Sequence, residues 1–376
     1  MALLKCATVP LASAATSLLV KPHNTLHTSV NQEPDMQLVS GVHKHYDWGN
    51  HHFLYEFVGA PLANAPLAEI WFGTHPDGHA SLTATQEILA SAAGPLPFMV
   101  KFLSASSPLS LQVHPTAEQA RAGFEREEKA GIPTSSPQRI YRDSSDKPEL
   151  LIALTPFTAL CGFHDAASSV GWFRAMQWSD LANFLEQHGI EAFAREALEG
   201  NALRIPAQLP PWANELRVAY PNDPALLIAL LMHRVELAAG ECLLLEAGTL
   251  HAYLNGSAIE VMNTSDNVVR GGFTQKYVDT AELLGITHWE SSSPPVRRAT
   301  NALPNLSTYP TTGAFQVHSV AAPATVPASD TPQLVACIAG SGQGFSRGQV
   351  MLLNANEEMH LTGDCVVIAT TSDTQR

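Results

Sequence analysis

Between Met36 and Leu160 the apolar residues come in short runs, such as "LPFMVKFL" (96–103) and "ELLIALTPF" (149–157), cut by Gly, Pro, Asn and Ser. Runs of that length with turn residues at both ends read as strands. Sustained helical spacing sets in only at Ala166, where Trp172, Phe173, Met176, Leu181, Phe184 and Leu185 recur three and four residues apart, to about Asn201. A Pro-rich connector, "IPAQLPPWANE", then leads to Asp223 and Pro224, an N-cap and first-turn proline opening a short helix through Met232. Strands return at Val235. After "SSSPPVRRATNALPN" (291–305) a last strand-rich segment runs to the C-terminus. The pattern predicts a mainly β chain with a helical insert. One β unit is made of 36–164 and 235–290, the insert covers 165–234, 291–305 is a linker, and 306–376 is a second β unit.

Within this pattern "LSLQVHPTAEQA" (109–120) stands out. Alternation along a strand puts Leu109, Leu111 and Val113 on one face and Ser110, Gln112 and His114 on the other. An amide and an imidazole side by side on an inner face need a partner, and a metal ion is one. Two carboxylates compete to complete such a site. Glu118 suits the first turn of a helix entered after Pro115, where it complements the helix dipole. Glu149 opens an otherwise apolar strand, an expensive place for a carboxylate unless it is paired or ligating, so Glu149 is the expected ligand.

The formal charge of −14 argues against a nucleic-acid or anionic-membrane surface. It also makes each cation that is placed locally informative. Five scattered cysteines, with no CxxC, point to reduced thiols in a cytoplasmic protein. No apolar run approaches the roughly 18 residues of a membrane span. The glycine-rich "IAGSGQGF" is followed by no helical pattern, so it reads as a turn and not as a dinucleotide loop. Residues 1–35 read as a disordered extension, or as the product of a start assigned too early, with Met36 the true start.

The segment "AGTLHAYLNG" (247–256) resembles the second motif of the cupin superfamily, in which a glycine turn delivers a histidine ligand, here His251, inside a small β-barrel. The match is partial: the usual turn proline is Glu246, and an asparagine lies at 255, one place late. Where the first cupin motif has two histidines, this chain has Gln112 and His114. Taken in order, "YDWGN" (46–50), "AEIWFGTHP" (68–76), "PLSLQVHP" (108–115), "KPEL" (147–150), "AGTLHAYLNG" (247–256) and "SDNVVRGGFTQKYVD" (265–279) resemble the type I mannose-6-phosphate isomerases, over about Gly41 to Leu284.

The resemblance implies a cupin-like jelly-roll catalytic domain, an α-helical domain and a second, C-terminal cupin-like domain. It implies one zinc ion per chain, held by Gln112, His114, Glu149 and His251, and reversible conversion of mannose 6-phosphate to fructose 6-phosphate through an enediol. Arg270 would stabilise the enediolate, with Gly271 and Gly272 letting backbone approach the ligand. Lys276, Lys101 and Ser110 are expected to bind phosphate, and Tyr253 to contact substrate. Glu260 is the expected proton carrier, unless a salt bridge to Arg270 or Lys276 claims it. Lys147, Asp266 and Tyr253 are further candidates for ring opening or positioning. Many relatives carry histidine where this chain has Asp146, which puts the ring-opening group in question. Trp48, Trp71 and His75 read as structural. The expected partner is a small phosphorylated sugar, with no nucleic acid or membrane, and the expected state is a monomer. Alternatives are a sugar-binding or regulatory metal cupin without isomerase activity, an iron dioxygenase (which Gln112 fits poorly), and a cupin glucose-6-phosphate isomerase.

Overall fold

The computed structural model describes residues 37–372, apart from 201, 294–295, 304, 343–344 and 362–364. The expected extension at 1–35 lies outside the described residues. The chain from 37 to 163 contains β1 (Gln37–Ser40), β2 (Val42–Lys44), β3 (Glu69–Phe72), β4 (Ser81–Leu82), β5 (Phe98–Ala105), β6 (Leu111–Val113), β7 (Glu149–Ala153) and β8 (Phe157–Phe163), of which all but β1 and β4 build the first β unit. After the insert come β9 (Met232–Leu237), β10 (Glu241–Leu245), β11 (His251–Asn263) and β12 (Val269–Gly272).

β11 organises this unit. Its first residues pair with β6 and β8, and from Gly256 onward it runs antiparallel to β5 on one side and β7 on the other. It therefore belongs to both walls of the barrel. The change of wall falls at a bulge between Tyr253 and Asn255 and at Gly256, whose φ of 123° suits glycine. A Cβ at 256 would lie 2.7 Å from the Pro156 carbonyl oxygen. The bulge also shifts the side-chain alternation. Odd-numbered His251 and Tyr253 therefore end up on the same inner side as even-numbered Glu260, and the Tyr253 hydroxyl reaches Glu260.

The opposite faces of these strands are apolar and packed. Leu111 and Val113, behind Gln112, join the core of the helical insert with Val269 and Phe273. That insert contains Ala166–Ala175, Ser179–Glu199 (broken at Gly189, φ 79°), Pro211–Ala219 and Ala225–Ala229. The last of these helices ends short of the expected Met232, which opens β9. Leu150, Ile152, Ile259 and Val261 share a second core with Phe315, Val317, Leu334, Leu352 and Val367 of the C-terminal unit.

The C-terminal unit is an eight-stranded sheet that also takes in β1 and β4 from the start of the chain. Two described pieces of the stretch expected as a linker, 291–305, pair into the two sheets. Val296–Arg298 pairs with β10, and Thr300–Leu303 pairs with Leu306–Tyr309. Its alternation is short and its Pro content high, so the strand signal is weak in sequence. No helix among the described residues is long and apolar enough to cross a membrane.

Candidate metal centre and active site

The strand pairing brings the site together. His251 lies opposite Gln112 on β6, and Arg270 on β12 lies opposite Gln112 on the other side. Glu149 opens β7, in register with Met262 of β11. The side chains of His114, Glu149 and His251 are each about 1 % exposed, and their ligand atoms lie within 4.8 Å of one another. Glu149 Oε1 is 3.3 Å from His114 Nε2, and its Oε2 is 3.7 Å from His251 Nε2. Gln112 completes the group, its amide 3.3 Å from His251 Nε2.

Both imidazoles are oriented from behind. His114 Nδ1–H donates to the Asn267 carbonyl at 2.8 Å, and His251 Nδ1–H donates to the Thr249 carbonyl at 2.9 Å. That leaves each Nε2 as a lone pair aimed at Glu149, which is how metal-binding histidines are held. His114 Nε2 is buried with no hydrogen-bond partner, a cost a native fold keeps when a ligand relieves it. Burial, followed by repulsion from His114, lowers the His251 pKa to about 4, so the ring is neutral at physiological pH. Burial acts to raise the Glu149 pKa, but Lys147 and the two imidazoles outweigh it and hold the carboxyl well below its ordinary value. Two imidazoles, a carboxylate and a side-chain amide form a donor set that zinc accepts. Glu118, the rejected alternative, is exposed in the first turn of Ala117–Lys129, which Thr116 and Gln119 cap reciprocally.

Beside this group runs a buried chain of polar side chains. Lys147 Nζ lies 2.9 Å from Glu149 Oε1, and the Tyr253 hydroxyl lies 2.9 Å from Glu260 Oε1 and 3.5 Å from Glu149 Oε2. Glu260 pairs with Lys101 at 2.9 Å, and not with Arg270 or Lys276. The two face each other across the β5–β11 ladder, a pairing hidden in a sequence that separates them by 159 positions. Lys101, expected to bind phosphate, is a buried ammonium paired with Glu260. Ser110 Oγ donates to Gln112 Oε1 at 3.2 Å, so it steadies the amide.

Arg270 and Lys276, by contrast, make no salt bridge among the described residues; Lys276 lies 5.3 Å over the Tyr46 ring. Burial lowers the pKa of both, and Arg270 lowers that of Lys276 further. Asp266 is drawn off to Arg142 at 3.2 Å. Asp146 accepts from Asn263 Nδ2 at 3.0 Å.

Asn267 was quoted in a motif yet given no role by sequence reasoning. It is fully buried, and every polar group it has is used. Its carbonyl takes His114 Nδ1–H, its Oδ1 takes the backbone N–H of Arg142 and Asp143, and its Nδ2 donates to the Asp143 and Ser145 carbonyls. It ties a candidate metal ligand to the loop that leads into Lys147.

Comparison with known proteins agrees with this geometry. Residues 36–166 match the model of the phosphomannose isomerase type I catalytic domain. The mannose-6-phosphate isomerase of Shigella flexneri is 30 % identical, over 87 % of this chain and 95 % of its own length. That of Homo sapiens is 30 % identical, over 80 % and 88 %. A crystal structure of mannose 6-phosphate isomerase bound with zinc and yttrium superposes with a TM-score of 0.81 at 27 % identity, covering 90 % of this chain and 99 % of that one. With the ligand cluster, the barrel and the full-length similarity in agreement, the chain belongs to the type I phosphomannose isomerase family.

Proposed function

We propose that this chain is a zinc-dependent aldose–ketose isomerase that interconverts mannose 6-phosphate and fructose 6-phosphate. One observation carries the reading: a buried, pre-oriented His114–Glu149–His251 cluster has Arg270 in register with Gln112, and neither Arg270 nor its neighbour Lys276 makes a salt bridge among the described residues. Gln112, His114, Glu149 and His251 would hold the ion. When bound, zinc supplies Lewis acidity that polarises and orients sugar oxygens.

The chain's own groups account for the rest. Moving a proton between C1 and C2 needs a base in a dry site, and Glu260 is placed for that role, with Lys101 and the Tyr253 hydroxyl setting its position. Burial and the neighbouring carboxylates Glu260 and Glu149 push the Tyr253 pKa well above its ordinary value, so its hydroxyl stays a donor throughout the working range. Arg270, permanently charged and next to Gln112 in register, faces the negative charge that develops on the enediolate oxygens. Lys276 takes the phosphate. Lys147, held on Glu149, is placed to donate a proton in ring opening, and Asp266 steadies the cations around it. The scattered cysteines, of which Cys161 and Cys242 are buried in the core, fit a cytoplasmic enzyme.

The test is a coupled assay of mannose 6-phosphate conversion on chelator-treated protein, before and after zinc is restored. Activity that disappears and returns with zinc supports the reading. Stoichiometric zinc binding with no turnover of mannose 6-phosphate would replace it with a binding cupin.

A further inference from the structure

Two arginines three residues apart, Arg139 and Arg142, are used in opposite ways. Arg139 is saturated: Nε donates to the Tyr141 carbonyl at 2.6 Å, Nη1 to the Ile132 carbonyl, and Nη2 to Glu128 at 2.7 Å, with Glu127 alongside at 2.9 Å and none of the side chain exposed. It is a structural arginine. Arg142 has its backbone N–H fixed on Asn267 Oδ1, yet its guanidinium makes one hydrogen bond among the described residues, Nη1 to Asp77 at 3.3 Å. The same Nη1 lies 3.2 Å from Asp266. Two carboxylates therefore share one nitrogen at long range, and the rest of the fork is open on a side chain 39 % exposed.

The surroundings show what the open edge is for. Asp266 lies four residues before Arg270 on the same segment, and Arg142 is near enough to Arg270 and Lys276 to disfavour the charge on each. Asp266 thus pairs with Arg142 and also attracts the charges of Arg270 and Lys276, while Asp77 pairs with Arg142 alone. A guanidinium edge left open beside two further cations suits an anion, and its planar fork matches phosphate in two-point geometry.

We infer that Arg142 is a second cationic arm of the phosphate subsite beside Lys276, parked on Asp77 and Asp266 in the free protein and turned onto the phosphate group of the substrate when it binds. The inference rests on reading Arg270 and Lys276 as the anion-facing cations. Arg142 would set affinity and selectivity for a phosphorylated over an unphosphorylated sugar and takes no part in proton transfer. Asp77 is then a competitor for the arginine, and weakening it should help the ligand.

The experiment compares wild type, Arg142→Gln and Asp77→Asn as zinc-loaded proteins, by calorimetric titration with inorganic phosphate and by KM and kcat for mannose 6-phosphate. Arg142→Gln should weaken phosphate binding and raise KM by about 10- to 100-fold, the equivalent of one charge-assisted hydrogen-bonded contact, with a smaller change in kcat. Asp77→Asn should shift phosphate affinity the other way, tightening it by roughly two- to fivefold through removal of one competing surface ion pair. A purely structural ion pair gives both variants the same sign. Like-signed changes, or an Arg142→Gln variant with unaltered phosphate affinity, overturn the inference. If Arg142→Gln does not fold, the sign for Asp77→Asn decides. Phosphate titration needs no turnover, so a protein inactive on mannose 6-phosphate would sink the proposed function and still test Arg142.

Discussion

Lys101→Met is the perturbation that most directly tests how the interior of this barrel is balanced. Lys101 and Glu260 face each other on the β5–β11 ladder at 2.9 Å, with side chains 7 % and 4 % exposed. Methionine keeps the length of Lys101, whose Nζ lies 5.3 Å over the Trp71 ring, so the change removes charge more than volume. Removing one partner of a buried pair strands the other, at a cost of about 3–5 kcal/mol. That is a large share of the roughly 5–15 kcal/mol that holds a typical domain folded. A second carboxylate sharpens the prediction. Burial raises the Glu69 pKa and the attraction of Lys101 opposes that rise, so without Lys101 it climbs further. The folded variant then keeps a proton that the unfolded chain has already lost. Because the folded state binds more protons, stability falls as pH increases above the unfolded carboxylate pKa of about 4.3. The deficit of Lys101→Met should therefore be larger at pH 8 than at pH 5. Urea unfolding followed by tryptophan fluorescence, with chelator present so that zinc linkage does not intrude, measures it. The double variant Lys101→Met/Glu260→Gln should recover about 2 kcal/mol relative to the sum of the single changes. A Lys101→Met cost below about 1 kcal/mol, or strict additivity, would refute the account of a tightly coupled buried pair.

Asn267→Ala should lower zinc affinity by about 10- to 100-fold in a chelator-competition titration, because the peptide carbonyl that orients His114 loses its side-chain anchorage; unchanged affinity would show that the carbonyl holds itself in place. Burial and the charge on Arg270 lower the Lys276 pKa, so its ammonium is complete below that shifted value and lost above it. KM for the phosphorylated sugar should then rise on the alkaline side at a lower pH than the roughly 10.4 of an ordinary lysine. In Lys276→Arg that limb should move to higher pH, and a KM profile identical to wild type would remove Lys276 from the phosphate subsite.

How much of this could be read from the chain alone varies by element. The strand character of 96–103 and 149–157 and the helical insert were plain from spacing, since period and turn residues are local properties. Gln112 and His114 were legible for the same reason: alternation put both on one face, and the structure shows the opposite face, Leu111 and Val113, buried in the helical core. Glu149 followed from the expense of a carboxylate on an apolar strand. The path of β11 was not legible, because a bulge at Tyr253–Asn255 and a turn of wall at Gly256 reset the alternation that sequence reading relies on. The Lys101–Glu260 pair and the Asn267 hub are long-range facts, set by which strands become neighbours. An asparagine that saturates its hydrogen bonds inside a fold looks, in sequence, like any loop asparagine.

Asp146 brings these strands of reasoning together. The resemblance left open whether a carboxylate here replaces a histidine in moving protons. The structure turns Asp146 toward Asn263 Nδ2, while Asn263 Oδ1 accepts the backbone N–H of Ala314 in the C-terminal unit. Asp146 therefore sits at the catalytic end of a strut that runs through the last residue of β11 into the second β unit. A carboxylate is suited to that place because it accepts an amide N–H with full charge, whereas an imidazole would offer a weaker, tautomer-dependent acceptor. The groups proposed above as proton carriers lie one layer further in, where Lys147 touches Glu149 and Tyr253 bridges Glu149 and Glu260. On that argument the departure at 146 changes how the loop carrying Lys147 is braced, and leaves the proposed chemistry to residues that share the barrel interior with the candidate metal ligands.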